Sequence, residues 1–392
     1  MRRFAGLAVT GTMGSLWSPA GLFAKDADDS GWILLLGCAK DADGSFYAAV
    51  ADAAGQLCVK HPLPDRGHGV AAQRNGDLAF AVARRPGRFI EAFNYKNGEH
   101  VATATPGKGN YFYGHAVLSA DEKTLYATEG NETSSTGLIG IFDVENGLVR
   151  TDEILGIGIG PHELAIFDSN TLVVAVGGIH TRQRRKMNLD TMSPSLMYVS
   201  LREKRVTEQV SLPDHRLSIR HLAVANGLVI TGQQYQGDSS DNVLPLVATH
   251  SPGGDYRLLE ASWSEWRRFN GYIASVTGTD KLIVATSPRG GCYGCWDRES
   301  GKLLSLSSLS DVAGASATDV VWLSSGVGSV VNLKMDTSVG SASKEQFYSE
   351  VLWDNHLTLF SAVKTEMRQP IPAHLSAGIF LCSSRRKNYL LA

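Results

Sequence analysis

The chain has 392 residues, a formal net charge of -2 at pH 7 and 43% hydrophobic residues. This length and apolar content are sufficient for one large repeat domain or for two ordinary domains, each with a buried core. The near-neutral charge argues against electrostatic binding to nucleic acid. No apolar run reaches the roughly 18 residues that a membrane-spanning helix needs.

The first 24 residues are typical of an export signal. Arg2 and Arg3 provide a positive start, residues 4–17 are weakly apolar, and small residues up to Ala24 offer cleavage positions. The paired arginines favour the twin-arginine route, although they follow Met1 directly, without the usual serine or threonine before them. We therefore expect residues 1–24 to be an export signal and the mature protein to be periplasmic. The alternative is a frayed terminus or a first strand.

From residue 30 onward the pattern predicts short β-strands, because runs of Val, Ile, Leu, Tyr and Thr alternate with Gly, Asp, Asn and Ser turns. Three segments align as strand, turn, strand, loop, strand, turn, strand, and three further copies begin in a similar way. The period of about 45 residues is typical of a four-stranded propeller blade. The segments begin near Gly67, Gly114, Pro161, Arg220, Tyr272 and Thr318.

The two ends of this region complement each other. Residues 31–64 supply three strands that match the second to fourth strands of a blade, and WDNHLTLFSA at residues 353–362 matches a first strand. We therefore predict an all-β, seven-bladed β-propeller over residues 30–362, closed by a C-terminal strand that completes the first blade. Such closure protects the sheet edges. Residues 363–392 match no blade and are expected to form an appended, unassigned tail.

Histidines recur at one position of the aligned blades, just before or within the first strand. They are His68, His115, His162, His221 and His356. Because the first strand lines the central channel, these side chains are expected to form a ring around the axis. The other two blades place Tyr272 or Ile273, and Thr318 or Asp319, near that position.

A ring of neutral imidazoles suits copper, iron, nickel or zinc and disfavours calcium and magnesium. We predict a transition-metal site formed by the five histidines, to which Asp319 would add an oxygen ligand and in which Glu163 would orient an imidazole. The alternative is structural. Some propellers carry Gly-His before the innermost strand and Trp-Asp near the end of the third, where this chain has Phe142-Asp143, and such histidines stabilise the blade.

Arginines follow the second strands of two blades, in ARRPG (Arg84 and Arg85) and SPRGG (Arg289). We expect them to gather on one face, where they would bind a carboxylate or phosphate or form salt bridges between blades. A basic insertion at residues 177–195 is expected to be either a solvated loop or a functional lid. Because G-x-S-x-G, H-E-x-x-H and P-loop motifs are absent, we assign no catalytic residue.

About residues 30 to 360 resemble a family of exported bacterial seven-bladed propellers of unknown function. The matching motifs include RGHGVA, YGHAV, GIGPHELAI, LSIRHLAV, SPRGG and WDNHL. The resemblance implies a fold like that of quinoprotein dehydrogenases and surface-layer propellers, and a twin-arginine signal. It also implies genes beside those for imelysin-like, iron-regulated periplasmic proteins and a di-haem oxidoreductase-like protein, hence a part in periplasmic iron or copper handling.

We therefore expect a periplasmic metal-binding propeller that takes part in the uptake or handling of iron or copper. Its expected partners are periplasmic iron-handling proteins of the imelysin type, with no nucleic acid and no membrane span. Two alternatives remain open. One is a non-catalytic scaffold for protein interactions, with structural histidines. The other is a metal-dependent periplasmic oxidoreductase that uses the same ring.

Overall fold

The computed structural model describes residues 32–182, 185–238, 241, 244–336 and 341–362. The predicted export signal and C-terminal tail lie outside these residues and stay predictions. The described strands form seven antiparallel sheets around an axis, together with one small two-stranded sheet. The all-β, seven-bladed propeller predicted from the sequence is confirmed. In the part of the chain that the structure describes, no helix has the length and hydropathy of a membrane span.

The first three blades follow one another along the chain, and neighbouring strands of each sheet are consecutive in sequence. Blade 1 contains β1 (Trp32–Lys40), β2 (Phe46–Asp52) and β3 (Leu57–Pro62). Blade 2 contains β4 (Gly67–Ala72), β5 (Leu78–Ala83), β6 (Ile90–Asn94) and β7 (His100–Ala104). Blade 3 contains β8 (Asn110–Leu118), β9 (Thr124–Asn131), β10 (Gly137–Asp143) and β11 (Val149–Ile154).

Blades 4 and 5 carry additions to the basic unit. Blade 4 contains β12 (Pro161–Asp168), β13 (Thr171–Val176), an inserted hairpin of β14 (Thr181–Arg182) and β15 (Arg185–Lys186), a 3-10 turn (Leu189–Thr191), β16 (Ser195–Ser200) and β17 (Arg205–Val210). Blade 5 contains β18 (Leu217–Ala225), β19 (Leu228–Tyr235), β20 (Val247–His250) and β21 (Arg257–Leu258), followed by helix α1 (Trp263–Arg268). Helix α1 begins with a capping box, in which the Ser262 hydroxyl accepts from the Glu265 backbone and the Glu265 carboxylate accepts from the Ser262 backbone.

The last strands complete blades 6 and 7 and return to blade 1. Blade 6 contains β22 (Ser275–Gly278), β23 (Leu282–Ser287), β24 (Cys292–Asp297) and β25 (Leu303–Ser308). Blade 7 contains β26 (Val312–Ala317), β27 (Val321–Ser325), β28 (Ser329–Asp336) and β29 (Ser341–Tyr348). The closing strands are β30 (Leu352–Trp353) and β31 (Thr358–Ala362).

The predicted start of the last copy at Thr318 is wrong. The first strand of blade 7 is the preceding VAGASA, whose small residues give no strong hydrophobic signal.

The C-terminal strands close the propeller as predicted. Both β30 and β31 pair with β1, in the registers Ala39↔Trp353 and Leu35↔Leu359, so they serve together as one interrupted inner strand. Beside this seam, the Arg66 guanidinium donates from Nε and Nη2 to the two carboxylate oxygens of Asp354 at 2.5 and 2.8 Å. This bidentate pair joins residues 288 positions apart and reinforces the closure.

Burial decreases from the middle of each blade to its rim. In β13 every residue after the first is buried, whereas the outer strand β17 alternates between exposed and half-buried residues. The apolar clusters cross from one blade to the next; Phe80 and Phe112, for example, join blades 2 and 3. The core is therefore a closed series of sheet-on-sheet contacts, which fixes the positions of the inner strands around the axis.

We predict that Phe360→Ala destabilises the propeller by about 3–5 kcal/mol, because the substitution leaves a cavity in a core. Phe360 lies in closing strand β31, is 4% exposed, and its ring packs 4.9 Å from that of Tyr95 in blade 2. Urea denaturation followed by tryptophan fluorescence measures the free energy of unfolding. The matched control is Leu304→Ala, at a residue 47% exposed, for which we expect a change within about 0.5 kcal/mol. Equal effects of the two substitutions would contradict closure by β31.

Candidate functional site

The innermost strands lose their regular register beside the histidines. The pairing shifts between Gly67 and Val70, Phe112 and Ala116, Pro161 and Leu164, and Ile219 and His221. Irregularities of this kind change the direction of side chains at strand ends and around functional sites. In these four blades they turn the histidines toward the axis.

The five predicted histidines meet at the propeller axis, and all are between 2% and 7% exposed. His115 is central. Its ring centroid lies 4.8 Å from that of His68, 4.7 Å from that of His162 and 4.5 Å from that of His356. The His221 ring lies 5.1 Å from the rings of His162 and His356. We call this group, His68, His115, His162, His221 and His356, the histidine cluster.

Two threonines identify the corresponding positions in the two blades that lack a cluster histidine. Thr128 donates to the carbonyl oxygens of His115 and His162, at 3.3 and 2.8 Å. Thr286 donates in the same way to Ser275 and Ala313, at 3.4 and 2.7 Å. Ser275 and Ala313 therefore occupy the positions that we had expected for Tyr272 or Ile273 and for Thr318 or Asp319.

Asp319 is not part of the histidine cluster. It lies in the turn between β26 and β27 and lines a different cavity, together with Asn226 and Asp280. The predicted oxygen ligand was wrong because the sequence alignment took the second strand of blade 7 as its first. Glu163, by contrast, lies at the cluster, where its carboxylate accepts from the backbone N–H of Leu222 at 3.1 Å.

The hydrogen-bonding capacity of the cluster is only partly used. His221 Nδ1 lies 3.2 Å from Glu163 Oε2, and the Nε2 atoms of His356 and His68 are 3.3 Å apart. Three buried ring nitrogens have no hydrogen-bond partner among the described residues: His68 Nδ1, His115 Nε2 and His162 Nδ1. A buried polar atom without a partner costs about 1–3 kcal/mol, so a water molecule, a metal ion or another ligand that contacts these nitrogens would stabilise the cluster.

Of the two described buried histidines outside the cluster, His61 also leaves its Nε2 atom without a partner, whereas His250 is fully hydrogen-bonded. His250 is 1% exposed. Its Nδ1 accepts from the Tyr198 hydroxyl at 2.7 Å, and its Nε2 donates to the Gly254 carbonyl at 2.9 Å. Both of its nitrogens are satisfied by the protein, unlike the three unpartnered nitrogens of the cluster. The structural-histidine alternative therefore explains His250 better than it explains the cluster.

The glycine of the Gly-His pair in blade 3 is required by the packing of the cluster. Gly114 has φ of +112°, which side chains rarely adopt, and a Cβ atom there would lie 2.4 Å from Cδ2 of His68. The absence of a side chain at Gly114 lets the backbone of one blade approach the imidazole of the previous blade.

The electrostatic surroundings keep the cluster imidazoles neutral. Burial is the largest cause and lowers the pKa of His221 to about 3 and that of His356 to about 4. It lowers the pKa values of His68, His115 and His162 well below 6.5. Burial also raises the pKa of Glu163. Neutral imidazole is the form that binds metal ions.

Two overlapping groups of side chains offer ligand atoms within 4.8 Å of one another. They are His115, Glu163, His221 and His356 in the first group, and His68, His115 and His162 in the second. Two ligands of one ion lie at most about 4.2 Å apart when metal–ligand distances are near 2.1 Å, so side-chain shifts below about 1 Å would complete either group. His115 belongs to both. The donor set, mainly imidazole with one carboxylate, fits a first-row transition metal.

The cluster separates two cavities on the axis. One, of about 520 Å³, is lined mainly by apolar residues of the inner strands and contacts His115, Glu163 and His356. The other, of about 260 Å³, contacts His68, His162 and His221. We call this second space the basic cavity, because it is also lined by Arg84, Arg85, Lys186, Arg220 and Arg289.

The insertion in blade 4 crosses the basic cavity. His180 Nδ1 donates to the Ser134 carbonyl at 2.8 Å, Thr181 accepts from Arg85 Nη1 at 3.2 Å, and Lys186 Nζ donates to the side chain of Gln236. The insertion thus joins blades 2, 3 and 5 and is more than a solvated loop on the rim. As predicted, Arg84, Arg85 and Arg289 gather on one face. Arg220 was not predicted from the sequence, where its only signal was its position directly before His221.

Comparisons with known proteins agree with this fold and leave its activity open. A family model described as "Protein of unknown function (DUF1513)" matches residues 61–360. No curated protein matches the sequence. The structure resembles BamB from Moraxella catarrhalis, with a TM-score of 0.50, 10% identity and coverage of 85% of this chain and 93% of that one. It also resembles the RRP9 WD40 repeats, with a TM-score of 0.55, 14% identity and coverage of 74% and 82%. At these identities the likeness concerns the fold alone.

We predict that the metal-free protein loses stability as the pH falls from about 6.5 toward 4. The cluster histidines have lowered pKa values in the folded state, so the unfolded chain binds more protons in this range and protonation favours unfolding. Each fully buried histidine contributes a slope of at most about 1.4 kcal/mol per pH unit. Urea denaturation at several pH values should give a shallower slope for His115→Asn/His162→Asn than for the natural chain. Equal slopes would show that these histidines already titrate normally in the folded protein.

Proposed function

Because this chain belongs to the DUF1513 family of proteins of unknown function, we propose its function from its own site. It is a propeller that binds a copper or iron ion at the histidine cluster and takes part in the handling of that metal. The three buried ring nitrogens without a partner carry the proposal. A bound ion would use lone pairs that the protein leaves unsatisfied.

The choice of metal has two supports. Imidazole ligands suit copper, iron, nickel and zinc, and the carboxylate of Glu163 is a ligand that iron accepts readily beside histidine. The resemblance to exported propellers encoded beside iron-regulated proteins narrows the first candidates to iron and copper. Export to the periplasm, with imelysin-like proteins as partners, belongs to the same proposal.

The surroundings of the cluster favour retention of an ion. All five imidazoles are neutral and nearly inaccessible to solvent, so the ligands are ready to bind and an ion would exchange slowly with water. When bound, the ion would supply a positive charge and a Lewis-acidic centre between the two cavities. Either cavity gives a route for loading and release. From such a closed set of ligands we infer metal handling rather than turnover.

A metal-dependent oxidoreductase is the second candidate. The larger cavity, of about 520 Å³, reaches His115, Glu163 and His356, so a small substrate could approach the ligand group that contains the carboxylate. Oxidation of an electron donor by the metal-loaded protein would favour this candidate. Full metal occupancy without such turnover would favour metal handling.

We predict about one copper or iron ion per chain in untagged protein purified from the periplasm, measured by mass spectrometry. His115→Asn removes the one residue common to both ligand groups and should weaken metal binding by more than about tenfold. His100→Asn is the control, because the His100 side chain is 54% exposed and lies outside the cluster. It should leave the metal content unchanged.

Two further variants identify the ligand group. Glu163→Gln changes only the first group, and His68→Asn changes only the second. The group in use is the one whose variant loses metal.

A natural chain that is empty as purified and takes up neither added copper nor added iron, while remaining folded, would contradict the proposal. The protein-interaction scaffold would then be the better account.

A further inference from the structure

The basic cavity has an unusual charge balance. Its five cationic side chains come from the loops after the second strands, from inner strand β18 and from the inserted hairpin. Among the residues that the structure describes, no aspartate or glutamate lines it. Its remaining polar groups include the side chains of Tyr113, Tyr272, Gln234 and Asn355, which are neutral hydrogen-bonding groups.

Within the described residues, four of the five cations form no salt bridge with a carboxylate. Arg85 contacts Thr181 and the ring of Tyr113, Arg289 lies 4.1 Å from the ring centroid of Tyr272, and Lys186 contacts Gln236. The fourth, Arg220, has a buried Nε atom without a hydrogen-bond partner among the described residues. Salt bridging between blades, the alternative expected from the sequence, therefore does not account for these four.

Arg220 is half-buried, and its Nε atom is fully buried. It is the extra residue at the point where the pairing of β18 with β19 shifts register, between Ile219 and His221. It therefore lies directly before cluster residue His221. A guanidinium with an unpartnered, buried N–H is strongly unfavourable unless an acceptor is present. Several like charges around one small space add mutual repulsion. Both effects are relieved by the same ligand, an anion with several oxygen acceptors.

We propose that the basic cavity binds a small polyanion through carboxylate or phosphate oxygens, held by Arg220, Arg85 and Arg289 and covered by Lys186 on the inserted hairpin. Guanidinium groups donate in pairs to such oxygens. The volume of about 260 Å³ lies just below the range of about 300–1,000 Å³ that is typical of pockets for drug-sized ligands. The ligand is therefore compact, on the scale of inorganic phosphate or a short di- or tricarboxylate.

This site is distinct from the proposed metal site and does not depend on it. The anion would contact the arginines, whereas a metal ion would contact the imidazoles and Glu163. The two sites share a wall, because His68, His162 and His221 line the basic cavity. Anion binding is therefore tested on the metal-free protein, so that failure of one proposal is distinguishable from failure of the other.

The experiment is isothermal titration calorimetry of the chelator-treated full chain with citrate, malate and inorganic phosphate, at low and moderate chloride concentration. We expect saturable binding of at least one of them, and the preferred probe distinguishes a carboxylate ligand from a phosphate ligand. Arg220→Gln and Arg85→Gln should each weaken binding roughly ten- to hundredfold, as expected for loss of hydrogen bonds to a charged group. Arg202→Gln, at an exposed turn residue outside the cavity, is the matched control and should bind normally.

Melting temperatures, measured with and without anion, distinguish a variant that has lost anion binding from a variant that does not fold. Without anion, Arg220→Gln should melt at the same temperature as the natural chain or higher, because it removes an unpaired buried charge. With the preferred anion, only the natural chain should gain thermal stability. Absence of saturable binding of all three anions, or equal binding by Arg220→Gln and the natural chain, would overturn the proposal. A melting temperature lowered by Arg220→Gln in the absence of anion would also contradict it, because Arg220 would then be a structural residue.

Discussion

Closure of the seven blades removes five imidazoles from water at one axis. Closure of seven blades brings the inner strands so near to one another that the histidine rings lie 4.5–6.2 Å apart where they contact. At these separations water is excluded and protonation is disfavoured, so the rings stay neutral. Neutral rings can pack together without charge repulsion, yet they keep lone pairs that need a partner. A transition-metal ion, as proposed, would satisfy that need.

The charges around the axis are distributed unequally on the two sides of the cluster. Glu163 lies on the side of the larger cavity, and the arginines lie on the other. An ion held among the imidazoles and an anion held by Arg220 would each reduce the electrostatic cost of the other. By thermodynamic linkage, binding at one site would then strengthen binding at the other by the same factor. The same arrangement gives a reason for the clustering of Arg85, Arg220 and Arg289 around the basic cavity, whose described lining residues include no carboxylate.

Much of this arrangement was predictable because it repeats. The spacing of Gly-His pairs and of apolar runs was enough to predict seven blades, closure by a C-terminal strand and a common position for five histidines. Ser275 and Ala313 could not be recognised, because small residues at the corresponding positions leave no pattern. The direction of Arg220 depends on a local break in strand register, and the path of the insertion depends on contacts such as His180 with Ser134. Neither can be deduced from periodicity.

Metal binding by the histidine cluster is tested most directly by anomalous X-ray diffraction from crystals of the metal-loaded protein, with data collected on both sides of the copper or iron absorption edge. We expect a single strong anomalous peak on the propeller axis, about 2.0–2.2 Å from an imidazole nitrogen of His115 and of at least two other cluster residues. A histidine cluster without an anomalous peak, in crystals whose metal lies only at surface sites, would contradict it.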